Sequence, residues 1–146
     1  MSQSRYQVII LAALLPLLAP GVHAADPATS TAAQAATGKL TVAQVKSEID
    51  SKQPLYIFDA NERESYLAGH IPGARWVKFN AVTAAVLPKS KDAKLLFYCY
   101  NPLCDASPLA ASDARKLGYR NVWLMPEGIT GWRKAGMAVV AGERPE

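Results

Sequence analysis

Histidine and cysteine are scarce in this chain of 146 residues: it has two of each, and His23 lies in an N-terminal stretch that reads as a leader. Too few of these side chains remain for a closed zinc centre, so no metal and no cofactor is expected. A basic run is missing too, as is any interleaving of aromatic with basic residues. The net charge of +4 is spread along the chain, which argues against a nucleic-acid surface. No apolar run is long enough for a permanent membrane anchor, because residues 8–18 reach only about half of the ~20 residues that a spanning helix needs. What is present, with half the residues apolar and ten prolines besides, suits one domain with a modest core.

Residues 1–24 combine a short n-region carrying Arg5, the apolar segment 8–18, and Val22-His23-Ala24, a small-x-small cleavage pattern. They predict a secretory signal cut after Ala24, hence a periplasmic protein, with an uncleaved tether as the alternative. Export would place both cysteines in an oxidising compartment where a disulfide persists. Residues 25–39, rich in alanine and threonine and without apolar periodicity, read as a flexible linker, and residues 40–146 as the folded domain.

Within that domain, Thr41-Val42-Ala43-Gln44 has the form of a capping box, and Val42, Val45 and Ile49 share one face of the helix it opens. Residues 55–58 fit a strand buried on both faces, ending at Asp59. Asn61 to Glu64 reads as a second capping box, opening a helix that stops at Gly69. Residues 70–74 form a tight connection and residues 75–79 a further strand. Residues 81–87 read as a small helix capped by Asn80 and ended by Pro88. Residues 122–125 make the last strand and residues 131–136 a final short helix. Strands alternating with helices at this spacing predict an α/β fold with a parallel sheet and a ligand site at the carboxyl ends of the strands.

One such end lies in residues 95–118. An apolar run closes at Cys99, a turn-prone loop follows, and Ser107-Pro108 reads as an N-cap with proline at the first helical position. Arg115, Lys116 and Gly118 suit the end of that helix. A thiolate facing a helix start is stabilised by the dipole and by free N–H groups, which makes Cys99 a candidate nucleophile. The same stretch is equally compatible with Cys99 as a small buried hydrophobe.

Asp59 with Tyr66, the block Gly69-His70-Ile71-Pro72-Gly73-Ala74, the strand-end cysteine, and Glu127-Gly128 with Trp132 and Gly136 together resemble the rhodanese-like domain over about residues 40–140. The resemblance implies about five parallel strands flanked by helices on both faces. It also implies sulfurtransferase or sulfane-sulfur carrier activity, with a persulfide on Cys99. The chain departs from the family at Asn61 and Ser65, where arginine and glutamate are usual, and in a longer active loop that has Cys104-Asp105 in place of the frequent arginine. The loop is similar to the Cys-x-x-Pro-x-Cys pattern of a subgroup of exported rhodanese-like proteins.

On this reading Cys99 is catalytic, Cys104 is its resolving or redox partner, and Tyr100, Asn101, Pro102, Leu103, Asp105, Ala106 and Ser107 form the substrate loop. Four residues separate the cysteines, so a turn at Asn101-Pro102 would bring them together as a reversible disulfide. Asp105 opposes thiolate formation and repels anions such as thiosulfate. His70 is a possible general base, but a turn residue in the family. Asp59 is expected to hold the turn that follows it, Trp76, Trp123 and Trp132 to be core or rim, and one of Tyr98 and Tyr100 to line a pocket. The expected ligand is a small sulfur-containing substrate or a thiol acceptor. The alternatives are a thiol-disulfide redox protein using Cys99 and Cys104, and a catalytically silent rhodanese-like binding module. A phosphatase of the related loop type lacks the arginine it would need.

Overall fold

A computed structural model describes residues 37–143, so the predicted leader and residues 25–36 of the linker lie outside the described residues. Five parallel strands form one sheet in the order β1-β5-β4-β2-β3. They are β1 (Thr37–Lys39), β2 (Tyr56–Asp59), β3 (Arg75–Trp76), β4 (Leu95–Tyr98) and β5 (Val122–Met125). Four helices cover the sheet, α1 (Val42–Asp50), α2 (Arg63–Ala68), α3 (Ala106–Lys116) and α4 (Gly128–Lys134), in the α/β architecture expected.

β4 sits in the middle, and its side chains alternate between two cores. Leu95, Phe97 and Cys99 join Ala110, Ala111 and Ala114 of α3 on one face. Leu96 and Tyr98 join Val42 and Val45 of α1 and Ile129 and Trp132 of α4 on the other. Leu95, Leu96 and Phe97 are fully buried, each contributing about 1.5–3 kcal/mol relative to exposure. Because neighbouring strands are parallel and in register, Asp59, Trp76, Tyr98 and Met125 end their strands at one edge. Cys99 follows directly at that edge.

The capping box of α1 is formed as expected: the Thr41 hydroxyl accepts from the Gln44 amide, and the Gln44 side chain accepts from the Thr41 amide. Other local expectations are overridden by tertiary contacts. Residues 37–39 have linker-like composition, yet they add to the edge of β5, where pairing supplies what local pattern does not. Asn61 does not cap α2: Glu62 is the N-cap, without a side-chain bond, and the Asn61 amide group donates to Asp59. The strand expected at 75–79 is only two residues long. The helix expected at 81–87 is replaced by isolated turns, with Ala81 N–H donating to Lys78 and Val86 N–H to Thr83. Val82 and Leu87 are both buried in the α3-side core, so this segment is fixed by two anchors and not by helical periodicity. Gly118, at φ 90°, ends α3 in the left-handed region, as expected.

Candidate active site at the end of β4

The site begins with β4, whose burial leaves Cys99 only 2% exposed at the carboxyl edge of the sheet. Ser107, in the first turn of α3 and itself buried, donates its hydroxyl to Cys99 Sγ at 3.3 Å. Ser107 is therefore not the N-cap expected from sequence. Asp105 is, with no side-chain capping bond, and the serine hydroxyl turns inward to the sulfur instead. The helix start and the hydroxyl both favour a negative charge on Cys99.

The loop between them folds on Asn101. Its side-chain oxygen accepts from the Leu103 amide at 3.0 Å, and its carbonyl accepts from the Cys104 amide at 3.1 Å. This Asx-type turn, with Pro102 inside it, sends the chain back so that Cys104 pairs with Cys99 at a Cα separation of 6.4 Å. The Cys104 carbonyl lies 3.3 Å from Cys99 Sγ. Two of the six loop amides expected to cradle a sulfur substrate, those of Leu103 and Cys104, are thus engaged within the loop, Pro102 having none. Those of Tyr100, Asn101, Asp105 and Ala106 take no acceptor among the described residues. Tyr100 is 52% and Leu103 90% exposed, giving the rim an apolar surface, and Asp105 is exposed beside them.

Behind the loop, α4 clamps the backbone of the nucleophile. The Ile129 amide donates to the Cys99 carbonyl at 2.9 Å and the Thr130 amide to that of Tyr100 at 3.1 Å. Gly128 stands at the contact with φ 61°, where a Cβ would lie 2.5 Å from the Tyr100 oxygen and 2.6 Å from that of Cys99. The Glu127-Gly128 pair is visible in the sequence, but its contact with the loop is not.

A buried polar cluster supports the strand end from the opposite face. Asp59 accepts from the Tyr98 hydroxyl at 2.6 Å and from the Asn61 backbone and side-chain amides at 2.8 Å, while the Ile71 amide donates to the Tyr98 hydroxyl. Burial raises the Asp59 pKa despite these donors, and burial together with the Asp59 charge pushes Tyr98 well above its ordinary value. Tyr98 is therefore a fully buried structural anchor. His70 is 1% exposed, stacks on Tyr66, and places Nδ1 2.9 Å from the Tyr66 carbonyl. No hydrogen bond among the described residues joins it to Cys99, so it belongs to the turn. Trp132 is core, while Trp76 and Trp123 are part-buried with their indole N–H groups on Asn61 and Asn121.

At the same sheet edge, a surface cleft of about 450 Å³ opens between residues 61–64 and 76–80, lined by Arg63, Trp76, Lys78 and Phe79. No cluster of metal-ligating side chains occurs among the described residues, and no helix among them is long and apolar enough to cross a membrane.

The model of the family described as Rhodanese-like domain matches residues 41–135. The thiosulfate sulfurtransferase GlpE of Pseudoalteromonas translucida is 30% identical over 96 residues, covering 66% of this chain and 89% of that one. Among solved structures, the BH2092 protein of Bacillus halodurans superposes with a TM-score of 0.66 at 27% identity, covering 70% of this chain and 76% of that one. A thiosulfate sulfurtransferase of Pseudomonas aeruginosa has the same fold at 22% identity and a TM-score of 0.62, with 72% of this chain matching 20% of the larger protein.

Proposed function

Because this chain belongs to the rhodanese-like domain family, we propose that it is a periplasmic sulfurtransferase or sulfane-sulfur carrier that forms a persulfide on Cys99. The observation that carries the reading is the Ser107 hydroxyl on Cys99 Sγ at the first turn of α3, an arrangement that lowers the energy of a thiolate. With the cysteines reduced, the Cys99 thiolate attacks the outer sulfur of a donor, the donor leaves with the bonding electron pair, and Cys99 holds the sulfur as a persulfide. An acceptor such as cyanide then attacks the outer sulfur and releases Cys99. The free amides of Tyr100, Asn101, Asp105 and Ala106 supply donors for that outer sulfur.

The loop carries no cation, and Asp105 is exposed beside it. Organic persulfides are therefore expected to serve better than the doubly charged thiosulfate. The sulfurtransferase name of the GlpE relative agrees with the reaction class. Export by residues 1–24 is part of the proposal, and it gives the cysteine pair an oxidising setting.

A second reading, a thiol-disulfide redox protein, is favoured by one observation, the pairing of Cys99 with Cys104. Thiocyanate formation by reduced protein separates the two. Transfer from thiosulfate, 3-mercaptopyruvate or cysteine persulfide is expected in the wild type and absent in Cys99→Ser, whereas Cys104→Ser retains some. A wild type inactive with all three donors, or one that needs only Cys104, would sink the proposal.

A further inference from the structure

Cys99 and Cys104 are paired yet unequal. Cys99 is 2% exposed and receives the Ser107 hydroxyl, while Cys104 is half-buried and follows Leu103, the most exposed large apolar side chain described. The turn on Asn101, closed by two hydrogen bonds, holds Cys104 against the nucleophile, with Cα atoms inside the span that a disulfide accepts without backbone movement. A ring this small gives little stabilisation on the chain-entropy account, so a structural staple explains the pair poorly.

Resting on the persulfide reading, we infer that Cys104 is a resolving cysteine that turns Cys99 from a carrier of sulfur into a site that releases it as hydrosulfide. In the first step the Cys104 thiolate attacks Sγ of persulfidated Cys99. The Cys99–Cys104 bond forms and the bond to the outer sulfur breaks. That sulfur leaves with the electron pair as hydrosulfide, so it is reduced by two electrons while the two cysteine sulfurs are oxidised. An external dithiol then reopens the pair. Exposure directs its first thiolate to Cys104, the more exposed cysteine of the two. Cys99 is the leaving group, its thiolate stabilised by Ser107 and the α3 start. The second thiol of the reductant attacks its own bridging sulfur and frees Cys104, leaving the reductant as a disulfide and returning two protons to the site. The net reaction converts a persulfide and a dithiol into a thiol, hydrogen sulfide and a disulfide. The apolar rim of Tyr100 and Leu103 surrounds the point of that attack.

The full chain, reduced and then freed of reductant, is mixed with one equivalent of cysteine persulfide. Hydrosulfide is followed with an electrode, and the protein by intact and peptide mass spectrometry. Wild type is expected to release close to one equivalent of hydrosulfide and to finish with Cys99 and Cys104 joined. Cys104→Ser and Cys104→Ala are expected to keep the added sulfur on Cys99, available to cyanide, with hydrosulfide release slower on the order of a hundredfold or more because the intramolecular attacker is gone. Release at the wild-type rate from both variants overturns the resolving role and leaves the persulfide reading standing. Absence of added sulfur on Cys99 in both variants overturns the persulfide reading and the resolving role with it. Glutathione added to the oxidised wild type is expected to be trapped on Cys104, and mapping it to Cys99 overturns the assigned direction of attack.

Discussion

Asp59 is a carboxylate held out of water by its neighbours. Its role as a turn holder was legible, because an aspartate at a strand end commonly accepts from the amide two residues on, as it does here from Asn61. Its bond with Tyr98 was not legible, since a sequence does not say that β2 and β4 are adjacent. The burial of Asp59 outweighs these bonds and has a measurable consequence. Burial raises the Asp59 pKa in the folded protein above its ordinary value of 3.8, so the folded state holds this proton more tightly than the unfolded one. The contribution of Asp59 to stability is therefore fully present below the unfolded pKa and is lost as pH rises through the folded pKa. Denaturant unfolding of wild type and Asp59→Asn at a series of pH values is expected to show the difference moving in favour of wild type as pH falls toward 3.8. A difference constant over that range would mean that the carboxyl is not perturbed. Ser107 carries the same lesson. The sequence identifies it as a helix-start serine, but only the depth of Cys99 under α3 turns its hydroxyl toward sulfur and away from the helix backbone.

Among the elements, those whose signal is local were read well and those that depend on a partner were not. The apolar run of β4, the capping box of α1 and the glycine after α3 each carry their reason within a few residues. β1 exists because β5 offers an edge, and the segment 81–87 is shaped by burial of Val82 and Leu87 at its two ends. Contact between α4 and the active loop belongs to the second kind and supports a prediction. Gly128→Ala places a Cβ against two loop carbonyls, at a φ that disfavours side chains, where backbone atoms cannot move aside cheaply. A loss of about 2–4 kcal/mol is expected from strain and overpacking, with a lower Tm in calorimetry and reduced sulfur transfer. An unchanged Tm would show that α4 does not clamp the loop.

At the scale of the molecule, the α/β class and the parallel sheet followed from the alternation of strand and helix patterns, and the carboxyl-edge location of Cys99 followed from the class. Strand order did not follow, because alternation leaves it open which strand is central. Export adds a prediction at this scale. N-terminal sequencing of protein recovered from the periplasm is expected to begin at Ala25, and recovery of the full-length chain in the membrane fraction would refute cleavage. The sheet order bears on the timing of such an export. β1, the first strand, is hydrogen-bonded only to β5, the last, so the sheet cannot be completed until nearly the whole domain has left the ribosome. Closure between segments so far apart in sequence is slow compared with helix formation, and in the export proposed above this delay would lengthen the interval in which an unfolded chain can be threaded across a membrane.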